Sequence, residues 1–101
     1  NRSVALAALA EPMRTAIIER LAERSMPVNE LAATLPISRP AVSQHLKVLK
    51  DAALVRDQVE GPPGVYSIDP GGLGQIRQWL DRHWDRALAA YQQEVEREEK
   101  K

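Results

Sequence analysis

Residues 28–35 and 39–53 each carry a helical apolar pattern, and only Pro36-Ile37-Ser38 separates them. Leu35 precedes Pro36, whose ring disfavours helical geometry at the residue before it, so the first helix is expected to end there. Ser38 is placed to cap the second. Because Pro40 has no N–H, the Ser38 hydroxyl should accept from the N–H of Ala41. Ile37 and Val42 stand where a hydrophobic staple fixes the angle at which the chain enters the helix. Val42, Leu46, Leu49 and Ala53 recur at spacings of 4, 3 and 4 and give that helix one buried face.

The flanking segments complete the layout. Upstream, helical patterns cover 2–10 and 12–24, the second opened by Glu11-Pro12 and striped by Met13, Ile17, Ile18 and Leu21. Downstream, 54–60 and 65–68 are rich in β-branched residues and bracket Gly61-Pro62-Pro63-Gly64, a hairpin with a four-residue loop. Asp69-Pro70 then caps a last helix over 70–98, whose first turn Gly71, Gly72 and Gly74 should weaken and fray. Helix, short break, helix and hairpin in this order is a winged helix-turn-helix, mainly α with a small β-hairpin. All of 1–101 is expected to be one domain, with the helix-turn-helix at 28–53, the wing at 54–68 and a C-terminal helix at 70–98.

Composition excludes several classes. The 101 residues hold no cysteine, so disulfides, thiolate metal sites and thiol redox chemistry are ruled out within them. No apolar run reaches the length of a membrane span and no signal-peptide pattern opens the chain, which points to the cytoplasm and to no membrane partner. Ser43 and His45 fall about 200° apart on a helix and cannot act as nucleophile and base, and no phosphate loop or nucleophile elbow is present. The expectation is a protein that is not an enzyme.

Net charge is zero, yet between residues 38 and 56 the cations Arg39, Lys47, Lys50 and Arg56 face a single acid, Asp51. With Val42, Leu46 and Leu49 turned to the core, Pro40, Ser43, Gln44, Lys47 and Asp51 fall on or near the opposite side of the helix, and Arg39 lies at its N-terminal end. Gln suits adenine, Arg and Lys suit guanine or phosphate, and Ser serves either. That face points to double-stranded DNA. His45 sits at the edge of the apolar stripe, equally placed to pack on the preceding helix or to reach a phosphate or base. A winged-helix module used for protein contacts is the competing reading, favoured by the neutral charge and the blunt wing, whose tip Glu60-Gly61-Pro62-Pro63-Gly64 carries no cation.

The stretch from Leu31 through Ser43-Gln44-His45-Leu46-Lys47-Val48-Leu49 closely resembles the helix-turn-helix of the ArsR/SmtB family of bacterial winged-helix repressors, and Ala8-Leu9-Ala10-Glu11-Pro12-Met13-Arg14 is similar to the family's opening. The resemblance implies a homodimer that sits on a promoter, often its own, and blocks transcription until an inducer releases it. It also implies that Ser38, Arg39, Ser43, Gln44 and His45 face the operator.

Departures from the family carry information too. The segment holding a cysteine motif in its soft-metal sensors is here Val28-Asn29-Glu30-Leu31-Ala32-Ala33. Asp81 and His83 resemble the first half of the family's carboxylate and histidine metal site, and Glu94 could supply an oxygen, but the cationic Arg97 cannot ligate. No metal or other cofactor is expected. The wing keeps one cation, Arg56, where the family usually carries several, so it should add little affinity.

In the last helix Leu80, Trp84, Ala87 and Tyr91 recur at 4, 3 and 4, widened by Leu73, Ile76, Leu88 and Val95. Such a stripe either covers the chain's own core or pairs with a second copy, joined by Val4, Leu6 and Leu9 of the first helix; the family resemblance implies the dimer. A two-fold dimer would set its recognition helices about 34 Å apart and require an inverted-repeat operator. Trp79, Trp84 and Tyr91 are the aromatics that could line an effector pocket between subunits, but the pattern defines no effector.

Overall fold

The computed structural model describes residues 2–58 and 61–100. Five helices and a small sheet follow in the order α1 (Arg2–Leu9), α2 (Pro12–Glu23), β1 (Met26–Pro27), α3 (Val28–Thr34), α4 (Arg39–Asp51), β2 (Val55–Asp57), β3 (Val65–Ile68) and α5 (Pro70–Glu99). Val59 and Glu60, part of the expected first wing strand, lie outside the described residues.

Local chemistry sets most boundaries. Glu11 caps α2 by accepting from the Arg14 N–H at 2.9 Å, with Pro12 in the first turn. The Ser38 hydroxyl accepts from the Ala41 N–H at 3.3 Å, where the missing N–H of Pro40 sends it. Ile37 packs against the core that contains Val42, as a staple would. Asp69 caps α5 through the Gly71 N–H at 2.8 Å.

Two expectations change at the end of α4. The helix stops at Asp51, and Ala53 adopts φ 59° rather than continuing the apolar stripe. The Ala53 N–H donates to the Lys50 carbonyl and the Leu54 N–H to that of Leu49, which closes the helix as a Schellman motif; Ala52 takes the buried place instead. The left-handed residue turns its carbonyl toward α5, where the Gly72 N–H donates to it at 2.8 Å. Gly72 is therefore a close-packing residue, not a fraying one: a Cβ there would lie 2.5 Å from the Ala53 oxygen.

The sheet has three strands in the order β1-β3-β2, all antiparallel, with Val55 opposite Ile68, Arg56 opposite Ser67 and Met26 opposite Tyr66. The edge strand β1 is not legible in the sequence. It is two residues long and contains a proline, which an edge tolerates because one side of the strand needs no ladder donor. The core joins Ile17 and Leu21 of α2, Leu31 of α3, Val42, Leu46 and Leu49 of α4, and Leu54 and Val55 at the wing base. Beyond this core α5 runs on, stretching the molecule to 59 × 27 × 21 Å. No helix among the described residues is long and apolar enough to cross a membrane.

Candidate nucleic-acid interface

The apolar stripe of α4 buries Val42, Leu46 and Leu49 to 1% exposure or less, and this fixes which face remains free. Arg39, Pro40, Ser43, Gln44 and Lys47 are all exposed there, and Ser38 stands exposed at the cap. Sequence reasoning missed Val48, which is 41% exposed. Its signal was available: it lies about 100° from Leu49 on the helix, outside the stripe, and apolar groups on such a face suit thymine methyls.

His45 is half-buried and its polar contacts run to α2, whereas the packing position left open above was on the preceding helix, α3. Its Nδ1 lies 3.4 Å from Arg14 Nη1 and 3.9 Å from Glu11 Oε2. A guanidinium only donates, so in the contact with Arg14 Nδ1 stands as the acceptor. Arg14 also donates through Nε to the Ala8 carbonyl at 2.6 Å. One side chain thus ties the end of α1 and the start of α2 to the middle of α4, holding the angle at which the free face is presented.

Lys50 is spoken for. Its Nζ lies 2.7 Å from Asp57 Oδ2, joining α4 to β2, and the Asp57 hydrogen bond and charge raise the Lys50 pKa above its ordinary value. Tyr66, beside this pair on β3, is also raised, first by burial and then by Asp57. The cations of this region outside ion pairs, among the described residues, are Arg39, Lys47 and Arg56, all exposed. At the wing tip Gly61 and Gly64 take φ 98° and 82°, and Pro62 and Pro63 are exposed; the tip's Glu60 lies outside the described residues.

The metal candidates do not converge within one chain. Asp81 and His83 precede Glu94 on the same helix by 13 and 11 residues, about 15 to 20 Å at the helical rise. The His83 ring lies 5.0 Å from that of Trp79, and Glu94 pairs with Arg97 at 3.4 Å. No group of three or more metal-ligating side chains occurs among the described residues. On the expected dimer surface, Val4, Leu6, Leu80, Trp84, Leu88, Tyr91 and Val95 are exposed large hydrophobics, and Ala87 is exposed beside them. Leu9, Leu73 and Ile76 instead pack against the chain's own core, and Trp79 is half-buried.

A short helix, a three-residue break, a capped helix with a polar and basic outer face, and a β-wing beside it define a winged helix-turn-helix DNA-binding protein. Residues 11–57 match the family model described as bacterial regulatory protein, arsR family. The HTH-type transcriptional regulator Rv2034 of Mycobacterium tuberculosis is 56% identical over 91 residues, covering 90% of this chain and 85% of that protein. The HTH-type transcriptional repressor SmtB of the same species is 41% identical over 71 residues, 70% of this chain but 53% of its own length. Among solved structures, an ArsR-like transcriptional regulator from Rhodococcus sp. RHA1 superposes with a TM-score of 0.73 at 32% identity, covering 90% of this chain and 89% of that one. The chain belongs to the ArsR family of bacterial transcriptional regulators, and its business is DNA rather than catalysis.

Proposed function

We propose that the protein is a homodimeric repressor that occupies an inverted-repeat operator, its own promoter included, and that residues 1–101 act as one winged-helix unit. The observation that carries this reading is the free face of α4. Ser38, Arg39, Pro40, Ser43, Gln44 and Lys47 lie exposed opposite a stripe buried to 1% or less, with Arg56 on the neighbouring strand. Gln44 reads a base edge, Val48 meets a thymine methyl, and Arg39, Lys47 and Arg56 take phosphates or guanine. His45 acts by holding α4 on α2.

The exposed stripe of Leu80, Trp84, Leu88, Tyr91 and Val95 supports the dimer, since so much apolar surface on one helix calls for a second copy. The relative SmtB of Mycobacterium tuberculosis is a transcriptional repressor. Thiolate metal sensing has no ligand in these residues, because none is cysteine.

The test is binding of the purified protein to its own upstream DNA and to a scrambled duplex, at two salt concentrations, with and without zinc. Sequence-selective binding that weakens steeply with salt and ignores zinc is the expected result. Release by zinc would assign Asp81, His83 and Glu94 to a site shared between subunits. Equal, weak binding to both duplexes would favour the protein-contact module.

A further inference from the structure

Away from the recognition face, a cleft of about 360 Å³ opens between the start of α1 and the first half of α5, lined by Arg2, Ser3, Gln75, Gln78 and Arg82. Every lining side chain offers a hydrogen-bond donor, two are guanidiniums and none is acidic. Neither Arg2 nor Arg82 enters an ion pair among the described residues. The cleft therefore carries two positive charges that nothing on its walls balances. Guanidinium forks match the paired oxygens of a carboxylate or phosphate, and the volume falls within the range of small-molecule sites.

Gln75, Gln78 and Arg82 are spaced by 3 and 4 and share one side of α5, whereas Leu80, Trp84, Leu88 and Tyr91 lie about 160 to 240° around from Arg82. On α5 the cleft side chains therefore lie on the side away from the apolar stripe.

We propose that this cleft binds a small organic dianion, carboxylate or phosphate in chemistry, gripped by Arg2 and Arg82 with Ser3, Gln75 and Gln78 as neutral donors, and that it is the regulator's effector site. The effector half rests on the repressor reading above. That reading puts α1 and α5 in the dimer, so a ligand spanning them favours one of their relative arrangements and shifts operator affinity.

The test is calorimetric titration of the full chain with succinate and, separately, glycerol 3-phosphate at constant ionic strength. It is repeated on Arg2→Gln, Arg82→Gln and the control Arg77→Gln, which makes the same charge change elsewhere on α5. Saturable binding of one probe per chain, at least about tenfold weaker in the two cleft variants and unchanged in the control, is the expected result. The preferred probe identifies the anion class. No binding of either probe, or equal weakening in all three variants, overturns the site. Operator affinity is then measured with and without the better probe: a shift of about threefold or more supports the effector role, and no shift overturns it while the binding site stands. Failure to bind operator even without ligand would count against the repressor reading and leave the calorimetric result intact.

Discussion

A single methyl group separates Gly72 from a residue that α5 could not accommodate. An added Cβ would approach the Ala53 and Ala52 carbonyl oxygens to 2.5 and 2.8 Å, and those are backbone atoms that cannot swing aside. Gly72→Ala should lower stability by about 1 to 3 kcal/mol, read from the urea midpoint. At Gly74 nothing lies within 4 Å, so Gly74→Ala should leave stability unchanged or raise it by up to about 1 kcal/mol. Helix propensity alone ranks the two glycines equally, which is why the sequence reading expected a frayed turn at both. On the free face of α4, Gln44→Ala should flatten the preference at one half-site position by about 1 to 3 kcal/mol in a base-substitution series. Lys47→Ala should instead weaken all sequences alike and reduce the salt slope by about 1. An unchanged base series for Gln44→Ala would mean that α4 does not enter the groove as placed.

The hairpin and α4 are locked together as elements by Lys50, Asp57 and Tyr66. Lys50 and Tyr66 both have pKa values raised in the folded chain, from ordinary values of 10.5 and 10.0. A raised folded pKa means that the stabilisation is complete below the ordinary value and is lost as pH climbs through the folded one. Unfolding midpoints should therefore hold steady from pH 7 to about 9.5 and fall above pH 10. Lys50→Met should remove the lysine's share of that alkaline loss and leave the tyrosine's; a variant with the same alkaline profile as the wild type would exclude the pair as its source. The capped ends of α4 and α5 were legible in Ser38 and Asp69, because a cap is a contact over two or three residues; for α2 only the first-turn Pro12 was read, and the Glu11 cap emerged with the structure. The strand β1 was not, because its pairing with β3 joins Met26 to Tyr66 across forty positions.

At the scale of the whole molecule, α5 reaches well past the core and carries its apolar stripe into solvent, with Trp84 60% and Tyr91 67% exposed. Surface of this kind costs little to change in a monomer and much in a dimer. Trp84→Glu combined with Leu88→Glu should turn a dimer into a monomer by sedimentation, leave the helical circular dichroism intact, and cut operator affinity by at least tenfold, since two half-sites can no longer be held one DNA turn apart. If the double variant sediments like the parent, the stripe is not the interface.

What the sequence by itself determined is everything that acts over a few residues or one helical period: the caps, the break at Pro36-Ile37-Ser38, the buried stripe of Val42, Leu46 and Leu49, and with it the polar face that Gln44 and Lys47 present. These follow from local sterics, hydrogen bonding and amphipathic spacing. The tertiary structure decided the contacts between distant segments: the turn of His45 onto Arg14 and α2, the capture of Lys50 by Asp57, the seat of Gly72 on Ala53, and the meeting of Arg2 with Arg82 in one cleft. Each depends on how α1, the wing and α5 fold over the helix-turn-helix, and no spacing along the chain encodes that distance.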